Sequence, residues 1–238
     1  MNHLGRSRGS YRRDHLLHTP DAFVRAPLPG MTRANAIVHA APAMGASFTQ
    51  YTVELENDGS FVLGQAQSFI YVLEGAVTAN EFPLAPHHYA WFPPNEAVRV
   101  HAVEPARLTV IEKPHSTLNG AIPKPLTGDA RSVTPEPMLG DDAVHVRHLL
   151  PDNFAFDCAV NTMTFQPGAT LPMVEIHVME HGLLMLEGEG IYRLGENWYP
   201  VKAGDFIWMA PYCPQWFGAL GKVPTRYLIY KDWNRHPL

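Results

Sequence analysis

The stretch VEIHVMEHGLLMLEGEG, residues 174–190, places Glu175, His177 and His181 at positions i, i+2 and i+6. Successive side chains of a β-strand alternate between faces, so three odd-numbered residues project one carboxylate and two imidazoles into a common space. On an α-helix Glu175 and His177 would point about 200° apart, too far to share an ion easily. The β-branched Val174, Ile176 and Val178, and the helix-interrupting Gly182, Gly188 and Gly190, favour a strand. A single inward histidine is ordinarily a hydrogen-bonded core residue, and a single inward glutamate is costly without a partner. Three such groups converging point instead to a metal, which relieves the burial of the carboxylate and uses the neutral imidazoles.

A rival pattern overlaps this one. His177 to His181 spells H-x-x-E-H, an inverted zinc-protease motif in which Glu180 acts as base. That chemistry needs a helix, because a strand turns Glu180 away from both histidines, and the local residue types argue against it.

The 238 residues suffice for one large or two small domains. Hydrophobic residues make up 46% and charged residues 17%, while 22 prolines and 18 glycines imply many turns between short strands. A net charge of -5 offers no electrostatic footprint for nucleic acid. Cys158 and Cys213 are too few for a disulfide framework and are expected to be plain thiols. No run approaches the roughly 18 apolar residues of a membrane span, and the basic start lacks the apolar core of a secretory signal. A cytoplasmic protein is expected.

Residues 1–30 have little periodicity and are expected to form a flexible arm. Strand-like runs separated by Gly, Pro and Asn then fill residues 31–113, a first lobe. Residues 114–140, with Pro123, Pro125, Pro135 and Pro137, have the character of an inter-lobe linker, and strand patterns resume over 141–238. The second lobe repeats the first. FIYVLEG at 69–75 aligns with GLLMLEG at 182–188, and YAWFPP at 89–94 with FIWMAP at 206–211. A long period occurring twice means duplicated domains rather than a solenoid. In this alignment Val62, Gly64 and Ser68 stand where Glu175, His177 and His181 do, with Val98 opposite Gln215, so the first lobe is expected to be metal-free.

Gly168, the E-x-H-x-x-x-H run, Gly188, then PVKAGD at 200–205 and APYCPQ at 210–215 resemble the two motifs of a cupin barrel. The resemblance implies an all-β bicupin of two tandem double-stranded β-helix (jelly-roll) barrels. It also implies metal ligands Glu175, His177 and His181 from the first motif and Gln215 from the second. Glu175 and Gln215 stand where many cupins have histidine. This set is similar to that of the (S)-ureidoglycine aminohydrolase family of manganese-dependent bicupins, a likeness that runs from GASF at 45–48 through ENWYPV at 196–201 to KDWNR at 231–235.

That resemblance implies one Mn²⁺ per chain in the C-terminal lobe, and hydrolysis of (S)-ureidoglycine to (S)-ureidoglycolate and ammonia. Two nitrogens and two oxygens make a site harder than thiolate-rich zinc and suit manganese or iron. Tyr192, Tyr227 and Lys231 match substrate-contacting positions of the family. Lys231 would neutralise the substrate carboxylate or move a proton, the tyrosines would fix the ureido group, and Glu175 could assist proton movement. The identity of the base stays open. Bicupins of this kind associate through their sheets, which implies a homo-oligomer. Two other functions compete: a different cupin metalloenzyme, such as an iron-dependent dioxygenase, or a non-catalytic small-ligand-binding bicupin.

Overall fold

The computed structural model describes residues 7–118, 120 and 122–235. Among them are twenty strands and two 3-10 turns, Pro20–Ala22 and Pro42–Met44, with no α-helix. No helix of the described residues is therefore long and apolar enough to cross a membrane. The chain is an all-β bicupin that divides into two compact units, one of residues 24–134 and 149–157, the other of 7–23, 135–148 and 158–235.

The first unit is built on a nine-stranded sheet. Its hydrogen-bonded order begins Leu126–Asp129, His88–Phe92, Gln67–Glu74, Ala106–Lys113 and Thr49–Leu63. Alternation sets the inner faces: in Val98–Ala102 the two valines and Ala102 are buried, whereas Arg99 is exposed. Val53, Phe61, Val72, Phe92 and Leu108 meet in its core. The two LEG sequences of the repeat end in the same turn. Gly75 and Gly188 have φ of +70° and +73°, and a Cβ there would lie 2.3 Å from the Pro105 carbonyl oxygen and 2.8 Å from that of Pro224. Glycine is thus required twice by both conformation and space.

Asp157 closes the first unit. Its fully buried carboxylate accepts hydrogen bonds from Gln67 Nε2 (2.6 Å), Lys113 Nζ (2.7 Å) and the Ser116 amide (2.7 Å). Burial alone would raise its pKa. The hydrogen bonds from Lys113 and Gln67, with the lysine's charge, outweigh burial and hold it below the usual carboxylate value. A depressed folded pKa means that this stabilisation is present above the unfolded value, about 3.9, and is lost as pH falls through the folded one. Asp157→Ala should cost about 3–5 kcal/mol at pH 7, because Lys113 is left nearly buried without its partner. The gap between the urea midpoints of wild type and variant should narrow below about pH 4. An equal gap at pH 7 and pH 3 would show that the carboxylate's charge is not what matters.

The second unit has an eight-stranded sheet in the order Ser10–Tyr11, His15–His18, Phe206–Met209, His181–Glu187, Thr225–Asp232, Cys158–Phe165, Asp141–His148 and Glu136–Met138. A three-stranded sheet is formed by Asn197–Lys202, Glu189–Leu194 and Gln215–Leu220. Phe165, Leu183, Tyr192, Ile207 and Phe217 belong to its core.

Two segment boundaries differ from the sequence expectation. In the expected flexible arm of residues 1–30, Ser10–Tyr11 and His15–His18 form the edge of the second unit's sheet and residues 24–30 belong to the first unit; residues 1–6 lie outside the described residues. His15–His18 pairs with Phe206–Met209, Leu17 is buried, and the Arg8 guanidinium grips buried Asp205 with two bonds of 2.7 and 2.9 Å. These stabilising partners lie almost two hundred residues away, so no local periodicity announces them. The expected linker 114–140, of which residues 119 and 121 lie outside the described residues, also contributes strands. Leu126–Asp129 pairs with His88–Phe92 in the first unit, and Glu136–Met138 with Asp141–His148 in the second. Pro137 is accommodated because its strand is the last in its sheet.

Candidate metal centre

The site lies in the second unit and is assembled from separate pieces of backbone. The sequence predicts one continuous strand from Glu175 to Glu187, but the strand begins only at His181. Glu175 is held by a lone antiparallel bridge to Gln215, its amide donating to the Gln215 carbonyl (2.8 Å) and its carbonyl accepting from the Gln215 amide (2.9 Å). His177 lies in an irregular segment whose carbonyl takes the Tyr212 amide at 2.8 Å. Convergence of the three side chains therefore comes from tertiary hydrogen bonds rather than strand alternation.

The four expected ligands do converge. His177 Nε2 is 3.3 Å from His181 Nε2, 2.8 Å from the Gln215 side-chain nitrogen and 3.9 Å from Glu175 Oε2. The backbone oxygen of Tyr230 lies 3.2 Å from His181 Nδ1. A proton donated there leaves the Nε2 lone pair facing His177, the arrangement that carbonyl-anchored imidazole ligands use. Burial, then the charges of His177 and Lys231, drive the His181 pKa well below its ordinary value, so the ring is neutral. Burial raises the Glu175 pKa, against the opposing pull of His177 and Lys231. Two imidazole nitrogens this close can share at most one proton, and the adjacent carboxylate is disfavoured as an uncompensated charge. A divalent cation satisfies all three groups, and so the donors fit a metal. Gln215 would ligate through Oε1, which a half-turn of its amide brings to the point now faced by nitrogen.

A cavity of about 270 Å³ opens onto this cluster and is lined by all seven residues singled out from the sequence: Glu175, His177, His181, Tyr192, Gln215, Tyr227 and Lys231. Tyr227, Ile229 and Lys231 reach it together because alternate residues of one strand share a face. The Tyr192 hydroxyl donates to Gln215 Oε1 at 3.5 Å and that of Tyr227 to Met163 Sδ at 3.3 Å. Burial raises both phenol pKa values, so both are neutral donors. The Lys231 ammonium lies 5.3 Å from the centre of the Trp233 ring. Sequence reasoning missed His148, Trp233 and Met179 on the same wall. His148 shares its strand with His145, but three residues apart they face opposite sides, so no spacing singles it out.

Asp14, His15 and Cys213 form a second group whose potential ligand atoms lie within 4.8 Å of one another. It is a poor metal site. Asp14 Oδ1 and the Tyr199 hydroxyl each lie 2.9 Å from a His15 ring nitrogen, so both nitrogens are engaged. Burial, then the charge of Asp14, pushes the Cys213 thiol up to about 11, and it is protonated. In the first unit, register refines the sequence alignment. Val98, the counterpart of Gln215, pairs with Leu63, so Leu63 rather than Val62 stands where Glu175 does. Leu63 and Val98 are buried in the hydrophobic core, while Val62 is half exposed.

A double-stranded β-helix carrying an inward Glu, His, His and Gln cluster defines a cupin, and residues 161–230 match the cupin domain family. The chain is 42% identical to (S)-ureidoglycine aminohydrolase of Arabidopsis thaliana across 98% of its own length and 80% of that protein. It is 33% identical to the enzyme of the same name from Escherichia coli K12, across 92% and 88% of the two chains. A solved structure described as a putative glyoxylate-induced protein from Pseudomonas aeruginosa superposes with a TM-score of 0.89 at 29% identity, covering 100% and 95%. The chain belongs to the (S)-ureidoglycine aminohydrolase family and is a hydrolase.

Proposed function

We infer that this protein hydrolyses (S)-ureidoglycine to (S)-ureidoglycolate and ammonia in purine catabolism, with one Mn²⁺ per chain held in the second unit. The observation that carries this reading is the single cavity into which all seven candidate residues project, in a chain 42% identical to a ureidoglycine aminohydrolase over nearly its whole length. Glu175, His177, His181 and Gln215 would hold the metal. When bound, it supplies positive charge that orients the substrate and polarises its heteroatoms.

The remaining groups suit a small anion bearing a urea. Lys231 pairs with the carboxylate, and the hydroxyls of Tyr192 and Tyr227 donate to the ureido oxygen. Hydrolysis forms a bond from water oxygen to the aminal carbon and breaks its bond to the amino nitrogen, which leaves as ammonia. Holding the anion at Lys231 and the ureido group at the tyrosines presents one face of that carbon, which fixes the chirality of the product. The homo-oligomer implied by the family likeness belongs to this proposal also.

Ureidoglycine generated freshly from allantoate provides the test, because an aminal also decomposes unaided. Added protein should accelerate ammonia release, yield the S product and consume no oxygen. Oxygen uptake, or ammonia release at the unaided rate, would overturn the assignment. Metal analysis should give one equivalent of manganese per chain, since Leu63 and Val98 offer only carbon where the first unit would need ligands. Two tightly held ions per chain would refute that argument.

A further inference from the structure

One buried polar side chain, in contact with the cavity-lining residues Lys231 and His148 but not itself lining the cavity, has no part in the proposed chemistry. Asn161 lies in the strand Cys158–Phe165, is 1% exposed, and stands directly opposite His148 on one neighbouring strand and Ile229 on the other. Directly opposed residues of a sheet project to the same side, and Lys231 follows Ile229 by two, so it is a diagonal neighbour on that side. With the amide turned so that each atom meets a complementary partner, Asn161 Oδ1 accepts from Lys231 Nζ at 3.2 Å. Its nitrogen then donates to the Val160 carbonyl at 3.0 Å and to His148 Nδ1 at 3.3 Å. The opposite orientation would set donor against donor at Lys231. The Trp233 ring stands 5.3 Å from the same ammonium.

We propose that Asn161 is a positioning residue that fixes the Lys231 ammonium by accepting one of its protons, so that the others are presented to the carboxylate of the substrate. The role rests on the assignment of Lys231 to that carboxylate. A lysine has four rotatable side-chain bonds, and an unrestrained ammonium would lose much of its rotamer freedom on binding each substrate molecule. Asn161 is suited to this task because it is neutral: it orders the ammonium without cancelling the charge that attracts the anion. An aspartate of the same shape would hold the lysine more firmly and compete with the substrate. The bond to His148 anchors the amide and, by occupying Nδ1 as acceptor, leaves the proton of a neutral His148 ring on Nε2.

A double-mutant cycle separates positioning from mere packing. Asn161→Ala should raise KM about tenfold or more, the effect of losing one hydrogen bond to a charged group. Metal content should be unchanged. In a Lys231→Met background the same substitution should change KM less than about threefold, because nothing is left to position. Asn161→Asp keeps the shape and should raise KM at least as much as the alanine variant, because its carboxylate competes with the substrate for the ammonium, whatever the loss of the bond to the Val160 carbonyl does to the melting temperature. This second variant keeps the test open if the alanine variant folds poorly. Equal effects of Asn161→Ala with and without Lys231, or a lowered melting temperature with KM unmoved in Asn161→Asp, would overturn the proposal. Failure of the aminohydrolase assignment looks different, since the wild type itself would then not hydrolyse ureidoglycine. In that case the cycle is read by calorimetry with malonate. Binding lost non-additively in the two single variants supports positioning of Lys231 for an anion, and equal binding in all four proteins overturns it.

Discussion

His181→Ala is expected to abolish metal retention and turnover together while leaving the β-sheet circular-dichroism spectrum in place. The side chain is 3% exposed, neutral, and anchored through Nδ1 to the Tyr230 carbonyl, so its Nε2 is a preorganised donor that no neighbouring group can replace. Substituting groups that only orient metal ligands costs about 10–100-fold in affinity, so removing a ligand should exceed about 100-fold. The fold should persist because the residue contributes little apolar area, and the strand that bears it keeps backbone pairing on both sides, with Phe206–Met209 and with Thr225–Asp232. His177→Ala should behave alike in metal content, and its effect on stability should be smaller still, since His177 lies outside the strands. Full manganese occupancy with normal turnover in either variant would exclude that histidine from the ligand set.

Lys231→Met should give the complementary result, with manganese retained and activity lost. The ammonium lines the cavity but lies outside the proposed ligand cluster, and methionine preserves most of the aliphatic stem against Trp233. Truncating one partner of a buried charge pair costs about 2–5 kcal/mol, so kcat/KM should fall about 30-fold or more. The division of that loss reports the role. A rise in KM alone means that lysine binds substrate and transition state equally, whereas a fall in kcat means that it also acts in the reaction. Wild-type kinetics would remove Lys231 from the site and leave the cavity without its cation for the carboxylate.

The two variants act on neighbouring backbone, for His181 and Lys231 are register partners across adjacent strands. Opposite outcomes for metal content at such close positions would mark the boundary between the ligand cluster and the part of the cavity that meets the substrate. The Asn161 amide lies on the second side of that boundary, through its contact with Lys231.

Local pattern determined the all-β class, the duplication and the candidate trio Glu175, His177 and His181, while Gln215, Tyr192, Tyr227 and Lys231 were singled out by the resemblance to the family. Each depends on information carried within a few residues: alternation in Val98–Ala102, the glycine that both LEG turns require, the spacing of Tyr227 and Lys231 on one strand. The candidate ligands were legible because the E-x-H-x-x-x-H run and the segment ending at Gln215 are contiguous stretches that resemble the two cupin motifs. The backbone that carries them was not. Periodicity extends a strand through residues 175–180, yet only the bridge to Gln215 and the bond from Tyr212 decide that Glu175 and His177 sit in irregular chain. Tertiary pairing likewise decided that Leu63, not Val62, faces Val98, since a shift of one residue moves a side chain to the other face and the pattern of Val62 and Leu63 does not choose between them. The N-terminal segment, Asp157, His148 and Asn161 belong to the same class. Their partners lie tens to hundreds of residues away, and a hydrogen bond or ion pair formed across such a separation leaves no periodic trace in the chain on either side of it.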